Sequence, residues 1–133
     1  MRQLLVILTA LLLCGCTLSQ ATPTPLPTPD APQVEFRAPL NGSTVVEGNE
    51  LTIELLASDA GTGVARVELL VDDVSHQEGK PAVSAAVPTF TVVMNWRARG
   101  VGLHSLTAVA YREDGRASPP AIIVVSVLPD GGG

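Results

Sequence analysis

Beyond position 16 the sequence has no cysteine, so everything after that point must fold without a disulfide. Aromatic residues are almost as scarce, with one Trp, one Tyr and two Phe. Those few are needed to fill a core, which leaves little for an exposed sugar-binding platform. Basic residues are in the minority, with 8 Lys and Arg against 13 Asp and Glu and a net charge of −5. An acidic surface argues against nucleic acid as a partner and against polybasic attraction to anionic lipid heads. Histidine occurs only at 76 and 104, and there is no Gly-x-Ser-x-Gly elbow. A hydrolytic triad therefore has almost nothing to be built from. No segment after position 16 sustains a helical period.

What is present first is a short apolar run, Leu4 to Leu13, after Arg2. At ten residues it is half the roughly 20 needed to span a bilayer as a helix, and it fits an export signal. By itself the run is compatible with an ordinary cleaved signal peptide or an uncleaved anchor. It ends in Leu13-Cys14-Gly15-Cys16, which resembles a bacterial lipobox. The resemblance implies cleavage between Gly15 and Cys16, a diacylglycerol on the Cys16 sulfur, and an acylated (palmitate-type) amino terminus. Residues 1–15 are then a lipoprotein signal peptide, and Cys16 anchors the chain to the membrane on the extracytoplasmic side of the cell envelope. In two-membrane bacteria Thr17 after that cysteine implies sorting to the outer membrane, again by resemblance. Loss of Arg2 with the signal leaves a charge of about −6, so membrane attachment has to come from the lipid, which holds stably only with more than one acyl chain.

Residues 16–33 form a tether. Five of the eleven prolines fall between Thr17 and Gln33, largely as alternating Thr-Pro. Such a segment favours polyproline II at about 3.1 Å per residue and would hold a domain at its far end on the order of 50 Å from the membrane.

From Val34 short alternating segments take over. Leu51, Ile53, Leu55 and Ala57 share one face, as do Ala65, Val67, Leu69 and Val71, and Phe90, Val92, Met94 and Trp96. Further strands are expected at Val34–Phe36, Leu103–Tyr111 and Ala121–Leu128. Turns are expected at Asn41-Gly42-Ser43, Asp59–Gly63, Asp72-Asp73 and Glu113-Asp114-Gly115. His76 to Pro88 shows no clear period. About seven strands divided by turns predict an all-β fold, an antiparallel immunoglobulin-like β-sandwich. The residues agree: Ala38–Val45 with Glu47-Gly48, Ala57-Ser58-Asp59, Gly63–Leu70 and Gly102–Tyr111 with Gly115 resemble the bacterial immunoglobulin-like domains of surface and secreted proteins. The domain is placed at 34–129, with a tail at 130–133. Three departures stand out, one of them a Gly79–Pro88 stretch longer than is usual in the family. Asp72-Asp73 replaces the family's frequent Asp-Gly, which predicts a looser hairpin, and Arg112 follows the tyrosine where an acid is common.

The remaining candidates are weighed by chemistry. His104 with Ser105, and Ser75 with His76, lack a third partner, so no catalytic residue is assigned and the chain is not expected to be an enzyme. No cofactor is implied. Zinc has only two separated histidines to use. Calcium has Asp59, Asp72, Asp73, Glu113 and Asp114 in loops, without an Asp-x-Asp-x-Asp run, so no metal ligand is assigned. These acids read as solvated turn formers, with a calcium- or carbohydrate-binding module as the alternative function. Trp96 is expected in the core, and Tyr111 is expected to plug the sandwich edge and bond a loop. Asn41-Gly42-Ser43 fits a glycosylation sequon that its turn role already explains. The expected function is a lipid-anchored, non-catalytic binding, adhesion or spacer module. Its partner is an envelope or cell-surface protein or glycan, contacted through the irregular Gly79–Pro88 stretch.

Overall fold

The structure, a computed structural model, describes Pro23 and residues 31–131. The signal-like run, Gly15, Cys16 and nearly all of the tether lie outside the described residues. Eight strands occur in the order β1 (Gln33–Ala38), β2 (Thr44–Val46), β3 (Glu50–Ser58), β4 (Arg66–Val71), β5 (Val74–Gly79), β6 (Thr89–Arg97), β7 (Gly102–Tyr111) and β8 (Ala121–Leu128). They form a three-stranded sheet, β1-β3-β6, facing a five-stranded sheet, β2-β8-β7-β4-β5. β1, β3, β4, β6, β7 and β8 correspond to the alternating segments of the sequence, and the other two are β2, formed where the chain changes sheets after β1, and β5. β1 pairs antiparallel with β3, and β2 pairs parallel with β8. Between them lie a cis Ala38-Pro39 bond and a turn in which Ser43 N–H donates to the Leu40 carbonyl at 3.1 Å. Asn41 pins that turn to the second sheet, its Oδ1 accepting the Val124 N–H at 2.8 Å.

The core forms where the alternating faces meet. Ile53, Leu55 and Ala57 of β3 oppose Val67 and Leu69 of β4 and Leu106, Ala108 and Ala110 of β7, all fully buried. Met94 and Trp96 of β6, with Ile123, Val125 and Val127 of β8, complete it. Each buried Ile, Leu, Val or Met side chain stabilises the fold by about 1.5–3 kcal/mol, and each alanine by less. The apolar phases legible in the sequence of β3, β4 and β6 are the ones that point inward.

The structure differs from the expectation over His76–Pro88, because its first part continues a strand. β5 is an edge strand exposed along almost its whole length. A strand with no buried face carries no apolar alternation for a sequence to show. Its end is set by Gly79, where any side chain would collide with Val92 and Met94.

The β4–β5 hairpin is also tighter than Asp72-Asp73 suggested. Val71 pairs with Val74, and both intervening aspartates have positive φ, 50° and 66°. This is the two-residue turn whose twist suits a hairpin and which favours Asn, Asp or Gly. Asp72 is fixed there by Ser105. Its Oδ1 accepts the Ser105 N–H at 3.0 Å, and its own N–H donates to the Ser105 carbonyl at 2.9 Å. Among the described residues Asp73 has no comparable bond, so its left-handed backbone is a net cost. Asp73→Gly is expected to stabilise the domain by about 0.5–1 kcal/mol. Thermal denaturation checks this, and a lowered midpoint would show that the Asp73 side chain holds the turn.

Candidate functional site

Each strand's inward alternation can be carried one step past its end. On β3 the series Leu51, Ile53, Leu55, Ala57 continues to Asp59. On β7 the series Leu106, Ala108, Ala110 continues to Arg112. Both residues are buried, and they meet. The guanidinium donates from Nε to Asp59 Oδ2 at 2.7 Å and from Nη2 to Oδ1 at 2.9 Å. The N–H groups of Gly61 and Gly63 donate to the same carboxylate at 3.1 and 2.9 Å. Fork-to-fork pairing of this kind is the strong form of an ion pair. The bonds from Arg112 hold the Asp59 carboxyl far below the usual carboxylate range, against the upward push of burial. Asp59 is therefore not the solvated turn acid expected from the sequence, and Arg112, which departs from the family pattern, is its counter-ion. Gly61 permits the approach, since a Cβ there would stand 2.6 Å from Arg112 Nη2.

The opposite end of the core is closed in the same way. His104 begins the inward phase of β7, and Trp96 ends that of β6. Their rings lie 5.3 Å apart, tilted at 55°. His104 Nδ1 donates to Asp72 Oδ2 at 2.6 Å, and Nε2 donates to the Gly100 carbonyl. Glu47 holds Gly100 in turn, its Oε2 accepting the Gly100 N–H at 2.8 Å. Two acceptors call for two N–H groups, so the imidazolium is favoured. The bond to Asp72, helped by that to Gly100, raises the His104 pKa. Burial pushes the Asp72 carboxyl up, but the bonds from His104 and the Ser105 N–H outweigh it and hold the carboxyl below its ordinary value.

A raised histidine pKa stabilises the fold fully below the unfolded value of about 6.5 and ceases to do so as the pH rises through the folded value. Thermal stability is thus expected to fall as the pH rises from about 6.5 through the higher folded value of His104. In Asp72→Asn the fall is expected to be shallower. An equally steep fall in that variant would place its origin elsewhere.

Gly15 and Cys16 lie outside the described residues. The five loop acids do not converge. Asp59 and Asp72 sit at opposite ends of the sandwich, each on a cation of its own chain. Asp73 is in the hairpin turn, and Asp114 accepts the Arg116 N–H at 2.9 Å. Among the described residues no three His, Cys, Asp or Glu side chains are grouped as metal ligands would be. His104 has both nitrogens engaged and cannot serve Ser105 as a base, while His76 Nε2 bonds the Asn95 carbonyl at 2.9 Å. Trp96 is buried, and Phe36, Phe90 and Tyr111 are partly buried. Tyr111 does not plug the sandwich edge. It lies on the outer face of the five-stranded sheet, under the Arg66 guanidinium at 3.7 Å, and its hydroxyl donates to Glu68 at 3.3 Å. A cleft of about 360 Å³ lies between the loop after β5 and the β4 and β7 ends, lined by Arg66, Lys80, Ser84, Arg112 and Glu113 among others.

No curated protein matches the chain. Among solved structures, the fibronectin(III)-like modules of CbhA from Clostridium thermocellum are similar at a TM-score of 0.63 and 27% identity, over 74% of this chain and 47% of that one. The chain thus spans about half the length of that relative. The metal-bound CARDB domain of the PF1109 protein from Pyrococcus furiosus has a TM-score of 0.55 and 14% identity, over 78% of this chain and all of that one. The SrpA adhesin of Streptococcus sanguinis has a TM-score of 0.53 and 13% identity, over 74% and 56%. At such identities the last two share the fold alone. The neighbours are modules of the immunoglobulin and fibronectin kind, some of them parts of larger enzymes. The bacterial Ig domain model matches residues 32–108, more than half of the sequence, and the chain belongs to that family.

Proposed function

We propose that the chain is a lipoprotein, anchored through Cys16, that displays one Ig-like domain on a Thr-Pro stalk as a non-catalytic binding or spacing module in the cell envelope. The observation that best supports this reading is where the chain enters and leaves the sandwich. Gln33 pairs with Ser58, beside Asp59, whereas Val127 pairs with Gly102 and Leu128 with Val46 at the other end. A tether ending at Gln33 therefore attaches at the Asp59–Arg112 end and presents the His104–Asp72 end outward. The loop after β5, with its cleft, lies at the Asp59–Arg112 end near the tether and is the contact region of this reading.

Labelled fatty acid supplied to expressing cells tests the anchor. Incorporation lost in Cys16→Ser, with release of that variant from the membrane fraction, is the expected result. Equal labelling of the variant would end the lipoprotein reading. Binding is tested by sedimenting the released variant with envelope fractions, with and without the Lys80–Ala86 loop shortened. Retention that is indifferent to the loop would remove the cleft as the contact.

A further inference from the structure

β8 breaks a rule that the facing sheet keeps. On β3 and β6 the outward positions are mostly polar, among them Thr52, Glu54, Thr91 and Asn95. β8 reads Ala-Ile-Ile-Val-Val-Ser-Val-Leu. Its inward residues are buried, yet Ile122, Val124 and Leu128 point outward and are 60%, 38% and 43% exposed. Leu103 of β7, opposite Ser126 on the same face, is 76% exposed. A near-continuous apolar strand is the pattern of one buried on both faces. These side chains make a patch on the order of several hundred Å², comparable with the largest apolar patch a monomer exposes, which is often functional.

The residues between them, Thr44, Ser105, Thr107 and Ser126, are uncharged. The outward charges Arg66, Glu68 and Glu78 lie near the far end of β4, β5 and β7. We infer that this face of β2, β8 and the first half of β7 is a dimer interface whose occupant is a second copy of the chain. In the tether, residues 16–33, the large apolar side chains are Leu18 and Leu26 among Thr and Pro, too few to cover such a face. The charge that borders this face, Asp72, is already held by His104 and the Ser105 N–H. For two copies of a chain carrying −5, the neutral face is where approach meets least repulsion. Face-to-face packing across a twofold axis would set β8 against β8, with Val124 near the axis. A patch of this size can form the apolar centre of an interface of about 800 Å² per partner.

The test is oxidative cross-linking of the purified full chain. Val124→Cys is expected to give a disulfide-linked dimer. Val93→Cys, open to solvent on the other sheet, is expected to stay at the background set by the parent chain's own cysteines. Adding Ile122→Lys to Val124→Cys should abolish the dimer while leaving Trp96 fluorescence native, since Ile122 points away from the core. Cross-linking of Val124→Cys no faster than of Val93→Cys would overturn the inference, as would a dimer band untouched by Ile122→Lys.

Discussion

Replacing Arg112 with Met is expected to destabilise the domain by about 3–5 kcal/mol, because it strands the Asp59 carboxylate in the core without its counter-ion. For a domain of this size that corresponds to a fall in melting temperature on the order of 15–30 °C. It is also a large share of the roughly 5–15 kcal/mol that holds such a domain folded. The N–H groups of Gly61 and Gly63 remain as donors, but they carry no net charge. Removing both partners is a different experiment. Asp59→Ala with Arg112→Met leaves no buried charge, and most of the loss is expected to be recovered. Urea denaturation of the two single variants and the double variant measures this coupling, and a single-variant loss below about 1 kcal/mol would show that water reaches the pair.

The acid limb gives an independent check. The Asp59 pKa is depressed, so its stabilisation is present in full above the ordinary value of 3.8, begins to be lost near that value, and is gone once the pH has fallen through the lower folded value. Between pH 5 and pH 3 the native chain should lose stability as the paired acid starts to bind protons in the unfolded state. The double variant should lose less.

Trp96→Ala is the second large effect, expected at about 3–5 kcal/mol. The ring closes the core beside Met94 and also packs against His104, so its removal opens a cavity and admits water to the imidazole at once. Two readouts separate these consequences. Circular dichroism follows the stability loss, since the variant lacks the chain's one tryptophan. Proton NMR of His104 is expected to show its pKa moving toward the ordinary value as the Asp72 bond becomes solvated. Trp96→Phe should keep most of the stability and most of the raised pKa. If Trp96→Ala cost no more than a surface change, the tryptophan would be marginal to the core and free to act as a ligand platform.

Much of the fold was legible in the chain itself. Leu51-Ile53-Leu55-Ala57 and Phe90-Val92-Met94-Trp96 alternate with polar neighbours, and a strand with one dry face allows only one orientation of such a series. Asn41-Gly42 and Asp72-Asp73 marked turns because few residues other than glycine, asparagine and aspartate accept positive φ. β5 was not legible, since Ser75, His76, Gln77 and Glu78 face solvent and nothing selects an alternation there. The apolar outer face of β8 was visible as a run of Ile and Val, but which of those residues point outward depends on the register against β7.

The polar closures of the core lay beyond local reading. Asp59 and Arg112 are 53 residues apart and His104 and Asp72 are 32 apart, each pair looking like ordinary loop and strand-end residues. The sequence by itself determined the strands β3, β4 and β6 with their buried faces, and most of the turns, because those depend on neighbours one to four positions away. Which charged side chains end those faces, and which partner neutralises each, was decided by the packing of β3 against β7 and of the β4–β5 turn against His104. Only that juxtaposition removes the side chains from water, and only then does a charge require a specific counter-ion.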